Sequence, residues 1–299
     1  MKHLPSYSQS YALGHRYIMD IFDNEVEITE KIDGSQFSFF INENREFICR
    51  SRGQEINMNN PEKMFKIAIQ QAEIIKDNLY PNIIFRCEYL SKPKHNVICY
   101  ERVPINNLII FNIEDNLNPL SYDQMSEIAT DLGFECVPLL YQGKINNIEE
   151  IKELLYKDSI LGNSKVEGIV VKNYNKYTPD NKYYVGKLVR EDFKERLNKE
   201  WKVSNSTQGD IIVKLTQELK TESRYLKAIQ HLKENGEWLG EPKDIGNLMK
   251  EIYNDIEKEE IDYIAQEFTK WALPQIKRGV TAGFAEFYKN WLLEQINIK

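Results

Sequence analysis

The residues best suited to chemistry are lysines and carboxylates set at the ends of short apolar segments. Lys31 stands in Glu30-Lys31-Ile32-Asp33-Gly34, and Glu88 in Phe85-Arg86-Cys87-Glu88-Tyr89. Glu167 and Lys172 share Val166-Glu167-Gly168-Ile169-Val170-Val171-Lys172, and Lys187 opens Lys187-Leu188-Val189 after Gly186. Between them fall Arg52, in Ser51-Arg52-Gly53, and Phe111, in Ile109-Ile110-Phe111-Asn112-Ile113. Each has an ordinary reading: Lys31 as a solvated strand-end lysine, Glu167 as an exposed strand glutamate, Glu88 as an ion-pair partner of Arg86 or Arg52, Phe111 as core. Together these are residue types that could handle phosphate. An amine attacks once it is neutral, other cations neutralise phosphate charge, a guanidinium matches phosphate geometry, and a carboxylate suits a hard divalent cation.

The elements that must position them are legible as alternating strands and helices. Ser35-Gln36-Phe37-Ser38-Phe39-Phe40-Ile41 and Glu46-Phe47-Ile48-Cys49-Arg50-Ser51-Arg52, joined by a turn, predict a hairpin. Further strands are expected at residues 83–89, 108–114, 166–172 and 183–189. Asn60-Pro61 predicts a helix start, with Met64, Phe65, Ala68, Ile69, Ala72 and Ile75 on one stripe against a sheet. A second helix should run from Ser121, with Gln124 in capping-box position, to Gly133. After Trp201 the texture changes. Residues 203–210 read as a polar linker, and Ile211, Leu215, Leu219, Leu226, Ile229 and Leu232 keep helical spacing up to Gly236, before another stripe from Leu248 to Ile256. The expected fold is α+β, a mixed, largely antiparallel-sheet domain over residues 1–203 followed by a smaller all-α domain over 210–299.

Composition narrows the classes. At 299 residues the chain can hold two modest domains. No apolar run approaches the length of a membrane span, and the N-terminus does not read as a secretory signal, so a cytosolic, membrane-free protein is expected. The four cysteines, Cys49, Cys87, Cys99 and Cys136, form no CxxC pair and no disulfide framework; Cys49 and Cys87 should fill strands. A net charge of -7 means that any nucleic acid is held by a local basic groove rather than by bulk charge.

The six segments, in this order and kind, resemble the nucleotidyltransferase motifs I, Ia, III, IIIa, IV and V of the covalent ligase and capping-enzyme superfamily, over roughly residues 29 to 196. The resemblance implies an ATP-dependent enzyme whose domain, ATP-grasp-like in its sheet, carries AMP on Lys31. Glu167, Lys172 and Lys187 then join Lys31 as catalytic residues. Glu30, Asp33, Gly34, Arg52, Glu88 and Phe111, with the two further lysines, hold the nucleotide: Glu88 at the ribose, Phe111 against the adenine face, Arg52 at ribose or a polynucleotide 5′-phosphate. Ser35 and Gln36 are further candidates flanking the nucleophile. Magnesium or manganese is expected at Glu167. An unperturbed lysine has a pKa of about 10.4, so Lys172 and Lys187 around the phosphates are expected to depress that of Lys31.

The helical tail after motif V resembles RNA ligases of the double-strand nick-sealing and RNA-editing branch rather than enzymes with an OB-fold at that place. An RNA ligase joining 5′-phosphate and 3′-hydroxyl ends through lysyl-AMP and AppRNA is therefore expected, acting on RNA ends or a nicked RNA duplex in RNA repair. A DNA nick ligase, a capping guanylyltransferase and a catalytically silent RNA-binding module are the alternatives. NAD as donor is not expected, since no nicotinamide-binding domain precedes Lys31. Two departures stand out: Asp33 where that branch usually carries histidine, and Val189 where motif V commonly has a second lysine. No oligomer is implied. Basic and aromatic residues interleave in the tail at Lys270-Trp271, Lys277-Arg278 and Phe287-Tyr288-Lys289, a composition suited to a phosphate backbone.

Overall fold

Strand pairing organises the chain in the computed structural model, which describes residues 2–190 and 208–297. The elements in order are β1 (Tyr11–Ala12), β2 (Val26–Lys31), β3 (Ser35–Ile41), β4 (Phe47–Ser51), α1 (Lys66–Ile74), β5 (Ile83–Tyr89), β6 (Leu108–Asp115), β7 (Asn118–Pro119), α2 (Tyr122–Asp131), β8 (Glu135–Cys136), β9 (Leu139–Gly143), β10 (Gly168–Tyr177) and β11 (Tyr183–Val189). One sheet has the order β1-β11-β10-β2-β9, and the other β4-β3-β5-β6-β7 with β8 added along β6. Pairing is antiparallel except for β1 with β11 and β8 with β6. The fold is α+β, as the sequence implies.

Side-chain alternation along each strand decides the layers. One face of the second sheet carries Phe37, Phe39, Ile41, Cys49, Phe85, Cys87 and Tyr89, which pack with Phe65, Ala68, Ile69 and Ala72 before and along α1, and Met125 and Ala129 of α2. Cys49 and Cys87 are core residues, as expected for strand fillers. The outer face of the first sheet buries Ile28, Ile169, Val171 and Tyr184 against Ile18, Ile21 and Ile151. The facing surfaces of the two sheets carry the polar residues. There the buried Arg86 donates to Glu114 at 2.9 Å and to the Pro5 carbonyl at 2.9 Å, and Asn112 donates to the Tyr183 hydroxyl at 3.0 Å.

Helix α2 begins as read, with the reciprocal capping box of Ser121 and Gln124. The helix expected from Asn60-Pro61 starts later, as a 3-10 turn over Lys63–Phe65 that leads into α1. The continuous helix expected up to Gly236 is two helices, α3 (Gln208–Leu219) and α4 (Glu222–Glu234), because the Thr221 hydroxyl accepts from the Arg224 N–H and starts a new helix. Helices α5 (Ile245–Glu259), α6 (Ile261–Thr281) and α7 (Phe284–Asn297) follow. Most of the expected linker, residues 203–210, lies outside the described residues. Among the described residues no helix is long and apolar enough to cross a membrane.

Candidate active site

The three central strands of the first sheet generate the site by register. Lys31 pairs with Gly168, Thr29 with Val170 and Glu27 with Lys172. On the other side of β10, Gly168 pairs with Val189, Val170 with Lys187 and Lys172 with Val185. Three cross-strand rows therefore share the face toward the second sheet: Lys31-Gly168-Val189, Thr29-Val170-Lys187 and Glu27-Lys172-Val185. Gly168 is required by the close approach of β11, since a Cβ there would lie 2.4 Å from the Leu188 carbonyl oxygen and 2.9 Å from Val189 Cα. Gly34 is also in close contact, though less tightly, its missing Cβ falling 3.0 Å from both the Tyr89 carbonyl oxygen and Leu90 Cδ1.

Lys31 Nζ donates to both oxygens of Glu167, at 2.8 and 2.7 Å. Burial pushes the Lys31 amine down, but the Glu167, Glu88 and Asp33 carboxylates more than offset it and hold the group above the ordinary lysine range. This corrects the expectation that Lys172 and Lys187 depress it. Lys172 lies two rows away and is itself buried, its Nζ donating to the Phe111 carbonyl at 2.5 Å, and burial pushes it down to about 8. Lys187 is ion-paired with Glu259 of α5 at 3.1 Å.

The carboxylates outnumber the cations around Lys31. Burial raises Glu167, with Lys31 opposing. Burial pushes Glu88 up to about 8, with Lys31 opposing and Glu234, Glu167 and Asp33 adding to the rise. Arg86, weighed above as a partner for Glu88, is taken by Glu114. Glu30 belongs to the opposite face of β2 by alternation; its Oε2 accepts from the Ile160 N–H at 3.1 Å, while Oε1 is buried without a hydrogen-bond partner.

Asp33 is a loop anchor: its Oδ2 accepts from the Val97 and Ile98 N–H groups at 2.8 and 2.7 Å, and its own N–H donates to the Tyr100 hydroxyl. The same loop brings in His95, whose Nδ1 accepts from the Ser91 N–H at 3.0 Å. That leaves Nε2–H to donate to Ser35 Oγ at 2.9 Å, and burial lowers His95 to about 4. Phe111 is half-buried and lines the cleft, met edge-on by the Tyr7 ring at 5.1 Å. Arg52 donates to His231 Nε2 of α4 at 2.6 Å.

These residues, Glu30, Lys31, Asp33, Gly34, Arg52, Glu88, Phe111, Glu167, Lys172 and Lys187, all line one cleft of about 2080 Å³. That exceeds the 300–1,000 Å³ or so typical of a small-molecule site and leaves room beside a nucleotide. Sequence reasoning missed Tyr7, His95, Gln230, His231 and Glu259, because isolated residues in loops and on helices carry no periodic signal.

The family model for RNA ligase matches residues 24–189. The chain belongs to the RNA ligase family. Among solved structures it is similar to the Naegleria gruberi RNA ligase with PPi, at 19% identity, 64% of this chain and 57% of that one, and a TM-score of 0.49. It is also similar to variants of that enzyme with ATP and Mn and with AMP and Mn, each at 18% identity, 63% and 57% coverage and a TM-score of 0.49. The chain spans a little over half the length of these structures. No curated protein matches it.

Proposed function

We propose that this chain is an ATP-dependent RNA ligase that carries AMP on Lys31. The observation that supports this most directly is the Lys31 amine held by both Glu167 oxygens at the end of β2, in a cleft that also presents Lys187 and the Phe111 ring. The Lys31 nitrogen attacks the α-phosphorus of ATP; a P–N bond forms, the bond to the pyrophosphate oxygen breaks, and pyrophosphate leaves. Lys31 sheds one ammonium proton to water before the attack and a second N–H proton to water after it, so that the bonded nitrogen ends neutral and Glu167, which holds the ammonium at the start, stays a carboxylate. Burial is the largest single influence on Lys31 and points toward the neutral amine, with Glu167, Glu88 and Asp33 opposing it. A 5′-phosphate oxygen of RNA next attacks the lysyl-AMP phosphorus and releases Lys31, giving AppRNA. The RNA 3′-hydroxyl then attacks the 5′-phosphorus and AMP leaves.

Magnesium or manganese fits the carboxylate excess around Lys31. Among the described residues no cluster of three or more His, Cys, Asp or Glu is suited to hold a metal. A single carboxylate, Glu167, together with phosphate oxygens is the donor set magnesium commonly takes. When bound, such an ion supplies positive charge against the phosphates. Within this reading Glu88 and Phe111 hold ribose and adenine, Lys187 faces the phosphates, Asp33 and Gly34 fix the loop beside the nucleophile, and Arg52 meets a polynucleotide 5′-phosphate. Lys172 acts from the floor of the cleft by holding the Phe111 backbone. We place the ligase domain within residues 1–203 and the helical domain within 210–299. RNA ends or a nicked RNA duplex are the substrates.

The test is incubation with magnesium and α-labelled ATP or GTP, followed by a 5′-phosphorylated RNA nick. ATP labelling and sealing support the reading. GTP labelling selects a capping enzyme, and absence of labelling overturns the reading in favour of a binding module.

A further inference from the structure

The helical region is tied to both edges of the cleft. On the edge of the second sheet, Gln230 of α4 donates to the Gly34 carbonyl at 2.9 Å, Arg52 donates to His231, and Gln54 donates to the Asn235 carbonyl at 2.8 Å. Since His231 Nε2 accepts, its Nδ1–H donates to Glu251 of α5. On the edge of the first sheet, Glu259 at the end of α5 pairs with Lys187, their side chains only 12% and 17% exposed. Asp262 of α6 lies 3.5 Å from both His15 and Arg16, just beyond β1. The buried Arg224 of α4 ties the two helices together by pairing with Asp255 of α5 and, at 2.7 Å, with Glu260 just after it. The hairpin therefore bridges the mouth of the cleft.

Two features distinguish this bridge from a scaffold. Among the described residues, the buried members of the apolar clusters run up to Tyr184 and include none from α4 or α5, although Ala228 and Leu232 of α4 are themselves buried. The hydrogen bonds and ion pairs that tie the hairpin to the sheets make a polar interface, the kind that opens. The carboxylates it delivers also go to cations a polyanion needs: Glu259 to Lys187, and Glu251, through His231, to Arg52. Glu234, buried on α4, adds negative charge beside Glu88.

We propose that the α4–α5 hairpin is an autoinhibitory clasp in which Glu259 holds Lys187 in the place of a phosphate group, so that a nucleoside triphosphate must displace it to bind. This rests on the ligase reading of the cleft. Closure then lowers apparent ATP affinity by the fraction of open molecules, without altering the chemistry once ATP is bound.

The test uses the full chain with Cys99→Ser, the exposed thiol removed, and the pair Gly53→Cys and Asn235→Cys. An ideal Cβ on Gly53 lies 2.9 Å from Asn235 Cγ, which places the two Cβ atoms within the roughly 3.5–4.5 Å that a disulfide spans. Oxidised protein should label with AMP more slowly by on the order of tenfold at subsaturating ATP, and dithiothreitol should restore the rate. Independently of the disulfide, Glu259→Gln, checked for an unchanged melting profile, should lower the ATP concentration for half-maximal labelling several-fold and leave the maximal rate within about twofold. Oxidised protein that labels as fast as reduced protein overturns the clasp, as does a raised ATP requirement in Glu259→Gln. Unlocked wild-type protein that never labels with ATP and magnesium overturns the ligase reading itself.

Discussion

Val189 and Lys31 lie in one cross-strand row, each paired with Gly168 from its own side. Pleating puts the Val189 side chain on the face of Lys31 and Lys187. Val189→Lys should therefore place a second cation beside the nucleophile, where partial desolvation strengthens its effect on phosphate charge. The expected outcome is faster adenylylation at limiting ATP, by about tenfold or 1.4 kcal/mol, read by single-turnover labelling. A lower melting temperature with no kinetic gain would instead show that Val189 is needed for packing.

Lys31→Ala should abolish the AMP adduct while leaving the melting profile intact, because the attacking amine is gone. Undiminished acid-labile, hydroxylamine-sensitive label on that variant would rule out Lys31 as the nucleophile. Glu167→Ala and Lys187→Ala should each lose on the order of a hundredfold in adenylylation rate. Near-normal rates for both would mean that the rows around Lys31 do not hold the phosphates.

Stability should depend on pH through Glu88. Its folded pKa is raised to about 8, so the unfolded chain gives up the Glu88 proton first as pH rises. Between the ordinary glutamate range and about 8 the folded state binds more protons, and stability falls with pH in that window. Glu88→Gln removes the titration, so its melting temperature relative to wild type should climb from pH 5 to pH 8 and then level. A difference that stays flat over this range would show that Glu88 is not held in its neutral form.

Glu114 should be structural rather than catalytic. It pairs with Arg86, whose side chain is 1% exposed, and Glu114→Ala strands that guanidinium between the sheets. Breaking a buried pair from one side costs about 3–5 kcal/mol. Urea unfolding should report a loss of that size, and a change below 1 kcal/mol would show that water reaches Arg86.

The strands at Ile83–Tyr89 and Tyr183–Val189 were readable to the residue, because β-branched and aromatic runs bounded by polar turns leave little choice. The Ser121 capping box was equally plain, since cap and partner are three residues apart. Motif order likewise singled out Lys31, Glu167 and Lys187, all of which line the cleft. Local pattern could not say which charges meet. Lys31 and Glu167 are 136 residues apart, and only the β2–β10 register joins them, making the lysine an ion-paired ammonium rather than one lowered by neighbouring lysines.

The same limit applies to the helices. The stripe in α5 announced an amphipathic helix, but helical spacing does not tell which partner a solvent-face carboxylate finds. That Glu259 reaches Lys187, and that His231 sits between Arg52 and Glu251, follows only from how α4 and α5 dock across the sheets. Sequence therefore determined the strands, caps and reactive residue types, which depend on neighbours a few positions away. Tertiary structure alone decided their protonation and pairing, because electrostatic energies depend on distance in space and on burial.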